Sequence, residues 1–79
     1  MKISFEKCKE LCDKLEHLQF LNSDNNSYWK YASLYKDVCW YVYFNRILGH
    51  EYVEFDTNLC DRLGNLINDF KEVIDNETN

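Results

Sequence analysis

The sequence predicts an all-α fold, an antiparallel up-down-up bundle of three helices at about residues 4–20, 28–48 and 57–75. Proline is absent and glycine occurs only at Gly49 and Gly64, and so few helix-breaking residues favour long helices over many-turned β-structure. Apolar residues also recur in steps of three and four along three segments, which places them on one face of a helix. The whole chain of 79 residues is predicted to form one small domain.

The first predicted helix begins at Ser4, whose side chain suits the N-cap position. Its apolar residues form one stripe, and the opposite face is charged, with Glu10 and Lys14 spaced as a favourable i,i+4 pair. The stripe consists of Phe5, Cys8, Leu11, Cys12, Leu15 and Leu18.

The second predicted helix follows a loop of short polar residues, 22–27, in which Ser23 or Ser27 is expected to cap it. Gly49 suits the position just after its end. Its apolar residues form two stripes, which predicts a neighbouring helix on each of two sides. The first stripe contains Tyr28, Ala32, Tyr35, Val38, Cys39 and Val42, and the second contains Trp40, Phe44, Ile47 and Leu48.

The segment 50–58 is ambiguous, because its alternating apolar and acidic residues suit either an extended loop or the start of a helix. Asp56, Thr57 or Asn58 is expected to cap the third helix, which continues to about residue 75. The side chains predicted for the core of the bundle are Phe5, Leu11, Leu15, Tyr35, Val38, Trp40, Val42, Phe44, Leu59, Leu63, Leu66, Ile67 and Phe70. If Trp40 is buried, Trp40→Ala is expected to cost about 3–5 kcal/mol.

The four cysteines are many for so short a chain. Residues equally far from a turn lie level on antiparallel helices, so Cys8, Cys12, Cys39 and Cys60 are all predicted near one level of the bundle. They suit buried apolar thiols, or a disulfide that joins Cys39 to Cys8, Cys12 or Cys60. A zinc site is disfavoured because the usual paired C-x₂₋₄-C spacing is missing, so no metal is predicted. A redox or nucleophilic role is the remaining interpretation.

The net charge is -5 and is unevenly distributed. Residues 1–50 carry seven basic and six acidic side chains, whereas residues 51–79 carry two basic and eight acidic ones. This balance argues against binding to nucleic acid or to an anionic membrane, both of which attract basic patches. No apolar run approaches the roughly 20 residues of a transmembrane helix, so no membrane insertion is predicted. No signal peptide is visible at the N-terminus.

No catalytic constellation is visible, so the chain is predicted not to be an enzyme and to need no cofactor. His17 lies on a polar helix face, and His50 lies just past a helix end. Phosphate loops and zinc-protease motifs are absent from the sequence. A three-helix bundle is not expected to cover every aromatic ring of the second helix. The remaining ones either lie flat on the rim or form a protein-interaction patch; they are Trp29, Tyr31, Tyr41 and Tyr43.

Two stretches, "CKELCDKLEHLQFL" and "YKDVCWYVYFNRIL", are separated by a polar spacer. Together they resemble the shared core of the Plasmodium interspersed repeat (PIR or Vir) superfamily, over about residues 5–48. In that family a first helix rich in Cys and Leu precedes a variable loop and a second helix that opens with a pattern like Cys-x-x-Leu-Asn-Tyr-Trp-Leu. The segment 39–44 lies where that pattern would lie, and Cys8 or Cys12 matches the earlier cysteine.

The resemblance implies a non-enzymatic, mainly helical variant protein that is exported into or onto the infected host cell and binds protein partners. It also implies a disulfide between Cys39 and the first helix, and it accounts for the missing signal peptide. The alternative is a cytosolic acidic adaptor or small inhibitor that meets a basic partner through the third helix. That alternative predicts free thiols, a cytoplasmic location and salt-sensitive binding.

Overall fold

The computed structural model describes residues 1–67 and Phe70. The prediction of a mostly helical chain with three helices is confirmed, but the all-α prediction omitted two short strands that pair with each other. The elements are β1 (Lys2–Ser4), α1 (Phe5–Leu21), α2 (Ser27–Ile47), β2 (Tyr52–Glu54) and α3 (Thr57–Leu66).

The two strands form an antiparallel pair in which Ile3 lies opposite Val53. The pairing continues to Phe55, whose backbone amide donates to the carbonyl of Met1 over 2.9 Å. Ile3, Val53 and Phe55 are all buried and belong to the same core as the helices. The alternation after residue 51 therefore marks a strand, because alternate side chains of a strand point to opposite faces.

Two helices begin with the side-chain caps that local sequence predicts. The Ser4 hydroxyl accepts a hydrogen bond from the amide of Lys7 over 3.1 Å at the start of α1. The Asp56 carboxylate accepts one from the amide of Leu59 over 2.7 Å at the start of α3. Each bond satisfies one of the backbone donors that the first turn of a helix leaves without a partner.

The start of α2 differs from the prediction, which gave the cap to Ser23 or Ser27. Asn26 occupies the N-cap position, and its side chain makes no capping bond. The amide of Ser27 instead donates to the side-chain oxygen of Asn25 over 2.8 Å. The first turn is thus held by the loop before it.

The end of α2 is a Schellman motif centred on Gly49, which has a φ of 73°. The amides of Gly49 and His50 donate to the carbonyls of Arg46 and Asn45, each over 3.0 Å. Asn45 is buried, its Nδ2 donates to the carbonyl of Tyr41, and its Oδ1 lies 2.7 Å from Nδ1 of His50. Because Nδ2 is the donor, Oδ1 is an acceptor, and Nδ1 of His50 therefore carries a hydrogen.

The third helix is shorter than predicted. It ends at Leu66, and Ile67 adopts an extended backbone with φ -121° and ψ 103°. Gly64 and Asn65 are weak helix formers just before this break. The prediction of one continuous helix to residue 75 is therefore wrong at Ile67, and its remainder lies outside the described residues, except for Phe70.

The core is formed by one cluster of buried side chains from all three helices and both strands. Its members are Ile3, Cys8, Leu11, Leu15, Leu34, Val38, Val53, Phe55, Leu59, Leu63, Ile67 and Phe70. Four residues predicted for the core are half-buried against it: Phe5, Tyr35, Val42 and Leu66.

Trp40 and Phe44, both predicted to be core residues, are instead exposed on the surface of α2. The second apolar stripe of α2 was expected to face a neighbouring helix. No described element covers that side, because α1, α3 and β2 pack against the rest of α2.

Candidate protein-interaction surface

Large exposed side chains form a row on the solvent side of α2, along its second apolar stripe. We call this row the outer face. It consists of Trp40, Tyr43, Phe44, Ile47 and Leu48, which are 49%, 57%, 53%, 63% and 66% exposed. Their spacing of three and four residues puts them on one side of the helix. Scattered exposed apolar residues are ordinary in proteins, whereas a contiguous group of this kind marks an interaction surface.

Three aromatic rings of the outer face support one another. The rings of Trp40 and Phe44, one helical turn apart, stack with centroids 5.3 Å apart and an angle of 25° between their planes. The Tyr43 ring meets both of them edge-on, at 6.1 Å in each case. Because these contacts already restrict the side chains, binding to the rings sacrifices little further rotamer freedom.

Two grooves adjoin these rings, one on the outside of α2 and one between α1 and α2. The outer groove, of about 570 Å³, is lined by Tyr35, Lys36, Cys39, Trp40 and Tyr43. The interhelix groove, of about 330 Å³, is lined by Phe5, Cys8, Lys9, Cys12, Cys39, Val42, Tyr43 and Arg46. Cys39 and Tyr43 belong to both, so the two grooves form one continuous surface.

A third groove, of about 440 Å³, lies where α2 meets α3 and includes Trp29, Lys30 and Arg62. Nη1 of Arg62 donates to Oδ2 of Asp37 over 2.7 Å, and Nη2 donates to Ser33 over 3.2 Å. The Arg62 guanidinium therefore joins α3 to α2, and its charge is largely matched by Asp37.

The charges around these three grooves contrast with the net charge of the chain, which is -5. No acidic residue lines any of them. Besides Arg62, four exposed basic side chains line them: Lys9, Lys30, Lys36 and Arg46. Arg46 lies over the Phe5 ring, 5.3 Å from its centroid, which is a cation–π contact.

The four aromatic residues predicted as an interaction patch divide into two pairs. Trp29 and Tyr43 are exposed, whereas Tyr31 and Tyr41 are half-buried against the core. The Tyr41 hydroxyl donates to Oδ2 of Asp56 over 2.6 Å. This hydrogen bond raises the pKa of Tyr41 and lowers the pKa of Asp56. Tyr31 and Tyr41 therefore serve the packing between elements.

The predicted disulfide is not formed, because none of the four cysteines is bonded to another through sulfur. Cys8, Cys12 and Cys39 line the same groove, as predicted from their level in the bundle. Cys60 is on α3 and lines a different cavity, which Met1 also lines. The prediction of one common level assumed a direct turn between α2 and α3, but that connection contains β2, so Cys60 is displaced.

Two of the thiols, those of Cys12 and Cys60, are poor nucleophiles. Burial, and next the adjacent Cys39 thiol, raise the pKa of Cys12 to about 12. Burial also raises the pKa of Cys60. Because the thiolate is the reactive form, neither group is activated at neutral pH.

Neither histidine lies beside a thiol in a catalytic arrangement. His17 is exposed on α1, and His50 is bonded to Asn45. Within residues 1–67 and Phe70, no group of three or more His, Cys, Asp or Glu side chains is placed to hold a metal ion. Across the same residues, no helix combines the length and the apolar character that crossing a membrane requires.

Comparison of the chain with protein-family models, with curated proteins and with solved structures finds no match. Its fold and surface define a small, mostly helical domain in which no described element covers the aromatic face of α2. Sequence periodicity detected four of the five outer-face residues as a second apolar stripe but assigned Trp40 and Phe44 to the core. Tyr43 was predicted for an interaction patch instead. The signal for exposure was the composition of the other helices, since α1 shows only one apolar stripe and has a charged opposite face.

Proposed function

We propose that this chain is a non-enzymatic helical binding module that acts by protein–protein interaction through the outer face of α2. The observation that carries the proposal is the group of five large apolar side chains, 49–66% exposed, on one side of a single helix. Exposing so much contiguous apolar surface is unfavourable for an isolated protein, and aromatic residues dominate the energetics of protein interfaces.

The resemblance of residues 5–48 to the PIR superfamily supports the same kind of function, because that family acts by binding and has no catalytic residues. We extend the proposal to an exported variant protein at the infected host cell or its surface. The resemblance also implies an oxidised Cys39, and this implication is not carried forward, because the thiol is free.

The acidic-adaptor alternative has less support among the described residues. That alternative requires an acidic third helix, but α3 (Thr57–Leu66) carries one acidic residue, Asp61, and one basic residue, Arg62. The described part of the helix therefore has no net charge. The outer face, in contrast, is covered by none of the elements that the structure describes.

The proposal is tested by selecting binders from a random-peptide library on the immobilised chain. Selected peptides are expected to bind the wild type and to lose about tenfold or more in affinity for the double variant Trp40→Ala/Phe44→Ala, because large aromatic anchors contribute most of the affinity. Circular dichroism checks that the variant is folded. Binding is measured by fluorescence anisotropy of the labelled peptides.

The control is Phe20→Ala, which removes a ring of the same size as Phe44, and more exposed, from the end of α1. Its affinity for the selected peptides is expected to equal that of the wild type. If the peptides bind the wild type, the double variant and the control equally well, the outer face is not the binding surface.

A further inference from the structure

We propose that the outer face accepts an amphipathic peptide segment that combines large apolar anchors with acidic side chains. The anchors occupy the outer and interhelix grooves, and the carboxylates meet Lys36, Lys9 and Arg46 at their rims. This inference rests on the proposed function, because it specifies the partner of the same surface.

The charge of α2 is the first argument. Within Ser27–Ile47 the helix carries three basic residues and one acidic residue, a net charge of +2, so the rest of the chain carries -7. The single acidic residue, Asp37, is bonded to Arg62. Lys36 lines the outer groove, and Lys9 and Arg46 line the interhelix groove, whereas Lys30 lines the groove beside α3. The two grooves beside the outer face are therefore lined by basic and by no acidic side chains, on a chain that is acidic as a whole. Complementary charge selects partners and guides their approach.

The shape of the surface is the second argument. The two grooves meet at Cys39 and Tyr43, which lie one helical turn apart. An amphipathic partner helix presents its apolar residues at intervals of one turn, so two successive anchors can occupy both grooves together. The basic side chains lie at the groove edges, where the polar flanks of such a segment pass.

A second copy of this chain fits the surface less well. An antiparallel pair of α2 helices would bring Lys36 and Arg46 of both copies into one interface, and like charges across an interface oppose association. An acidic segment meets the same apolar surface and places opposite charges at its edges. The charges therefore favour a different chain as the occupant.

The test uses two synthetic amphipathic peptides with identical Leu and Phe anchors at helical spacing. One peptide has Glu at all the remaining positions, and the other has Lys there. Fluorescence anisotropy of the labelled peptides is measured on the full chain. The Glu peptide is expected to bind about tenfold or more tightly than the Lys peptide, and its affinity is expected to fall as salt is added.

Charge-neutralising variants test which basic side chains at the groove edges contribute to binding of the Glu peptide. Lys36→Gln and Lys9→Gln are each expected to lower the affinity for the Glu peptide about three- to tenfold. Lys2→Gln removes the same charge from β1, which lines none of the three grooves, and is expected to leave the affinity unchanged.

Three results would overturn this inference. The first is equal or tighter binding of the Lys peptide, or no binding of either peptide; the proposed function survives this result if library peptides still depend on Trp40 and Phe44. The second is a dimer in sedimentation equilibrium that Trp40→Ala/Phe44→Ala abolishes. The third is Trp40-dependent binding to phosphatidylserine vesicles without peptide binding.

Discussion

Asn45 holds the end of the helix that carries the outer face. It is the one buried polar side chain among residues 1–67 and Phe70, and both ends of its amide are bonded. A buried amide that lost these partners would be strongly unfavourable, so the turn after α2 is tightly specified. The positions of Ile47 and Leu48, at that end of the outer face, follow from it.

Trp40 and Leu34 lie on opposite sides of α2 and are expected to differ in their contribution to stability. Leu34 is fully buried, so Leu34→Ala is expected to lower the free energy of unfolding by about 2–5 kcal/mol. Trp40 is about half exposed, so Trp40→Ala is expected to lower it by only about 1 kcal/mol. Urea unfolding of both variants measures the difference. A loss above about 3 kcal/mol for Trp40→Ala would place its ring in the core after all.

The misplacement of Trp40 and Phe44 has a physical cause. Periodicity identifies which side of a helix is apolar, but an apolar stripe that faces the core and one that faces a binding partner have the same spacing. Leu11, Leu15 and Val38 were predicted correctly because their stripes meet each other across α1 and α2. The environment of the second stripe depends on which elements pack nearby, which local spacing does not report.

Asp56 joins two helices, α2 and α3, through its two carboxylate oxygens. Its Oδ1 caps α3 through the amide of Leu59, and its Oδ2 accepts the hydroxyl of Tyr41 on α2. One carboxylate thus begins one helix and attaches it to another. The arrangement fixes where α3 starts relative to the middle of α2.

This carboxylate makes stability depend on pH. The Tyr41 hydroxyl, and next the Leu59 amide, lower the pKa of Asp56 in the folded chain. The bond therefore contributes stability above the unfolded pKa of about 4, and the contribution is lost as pH falls through the lowered folded pKa. The pKa of Tyr41 is raised, so stability is also lost as pH rises above about 10.

Removal of the Tyr41 hydroxyl tests this dependence. Tyr41→Phe is expected to be less stable than the wild type at neutral pH, and the difference is expected to shrink as pH falls through the folded pKa of Asp56. Urea unfolding across the acid range measures it. Tyr43→Phe removes an exposed hydroxyl from the same helix and is the control. Parallel curves for Tyr41→Phe and the wild type would contradict the linkage.

Helix ends were predictable where the chemistry is local. Ser4, Asp56 and Gly49 were identified because a cap depends on one side chain or one backbone conformation. The break at Ile67 was not identified, because its apolar spacing continues that of α3. Its extended backbone coincides with burial of the side chain in the shared core, and that depends on distant parts of the chain.

In the molecule as a whole, the strand pair joins the N-terminal segment and the α2–α3 connection to one core. Val53→Ala is expected to lower the free energy of unfolding by about 1–3 kcal/mol, because its side chain is fully buried. Tyr52→Ala is the matched control on the same strand, since Tyr52 is about half exposed, and it is expected to change stability by under about 1 kcal/mol. Thermal or urea unfolding measures the stability of both variants. Equal losses would show that the sheet is not anchored through Val53.

The strands were the part of the fold hardest to predict. A strand of three residues contains too few alternations for a clear period of two, and β1 shows only Ile3 among polar neighbours. The pairing of Ile3 with Val53 also joins residues 50 positions apart, which no local pattern reports. The helices dominate the sequence signal, and the sheet is visible only once the chain is folded.

That distance along the chain has a consequence for the order of folding. The α1–α2 hairpin closes through a loop of only a few residues, whereas both helices separate β1 from β2 along the chain. Closing a long loop sacrifices more chain entropy than closing a short one. We therefore expect the hairpin that displays the outer face to form early and the strand pair to form last.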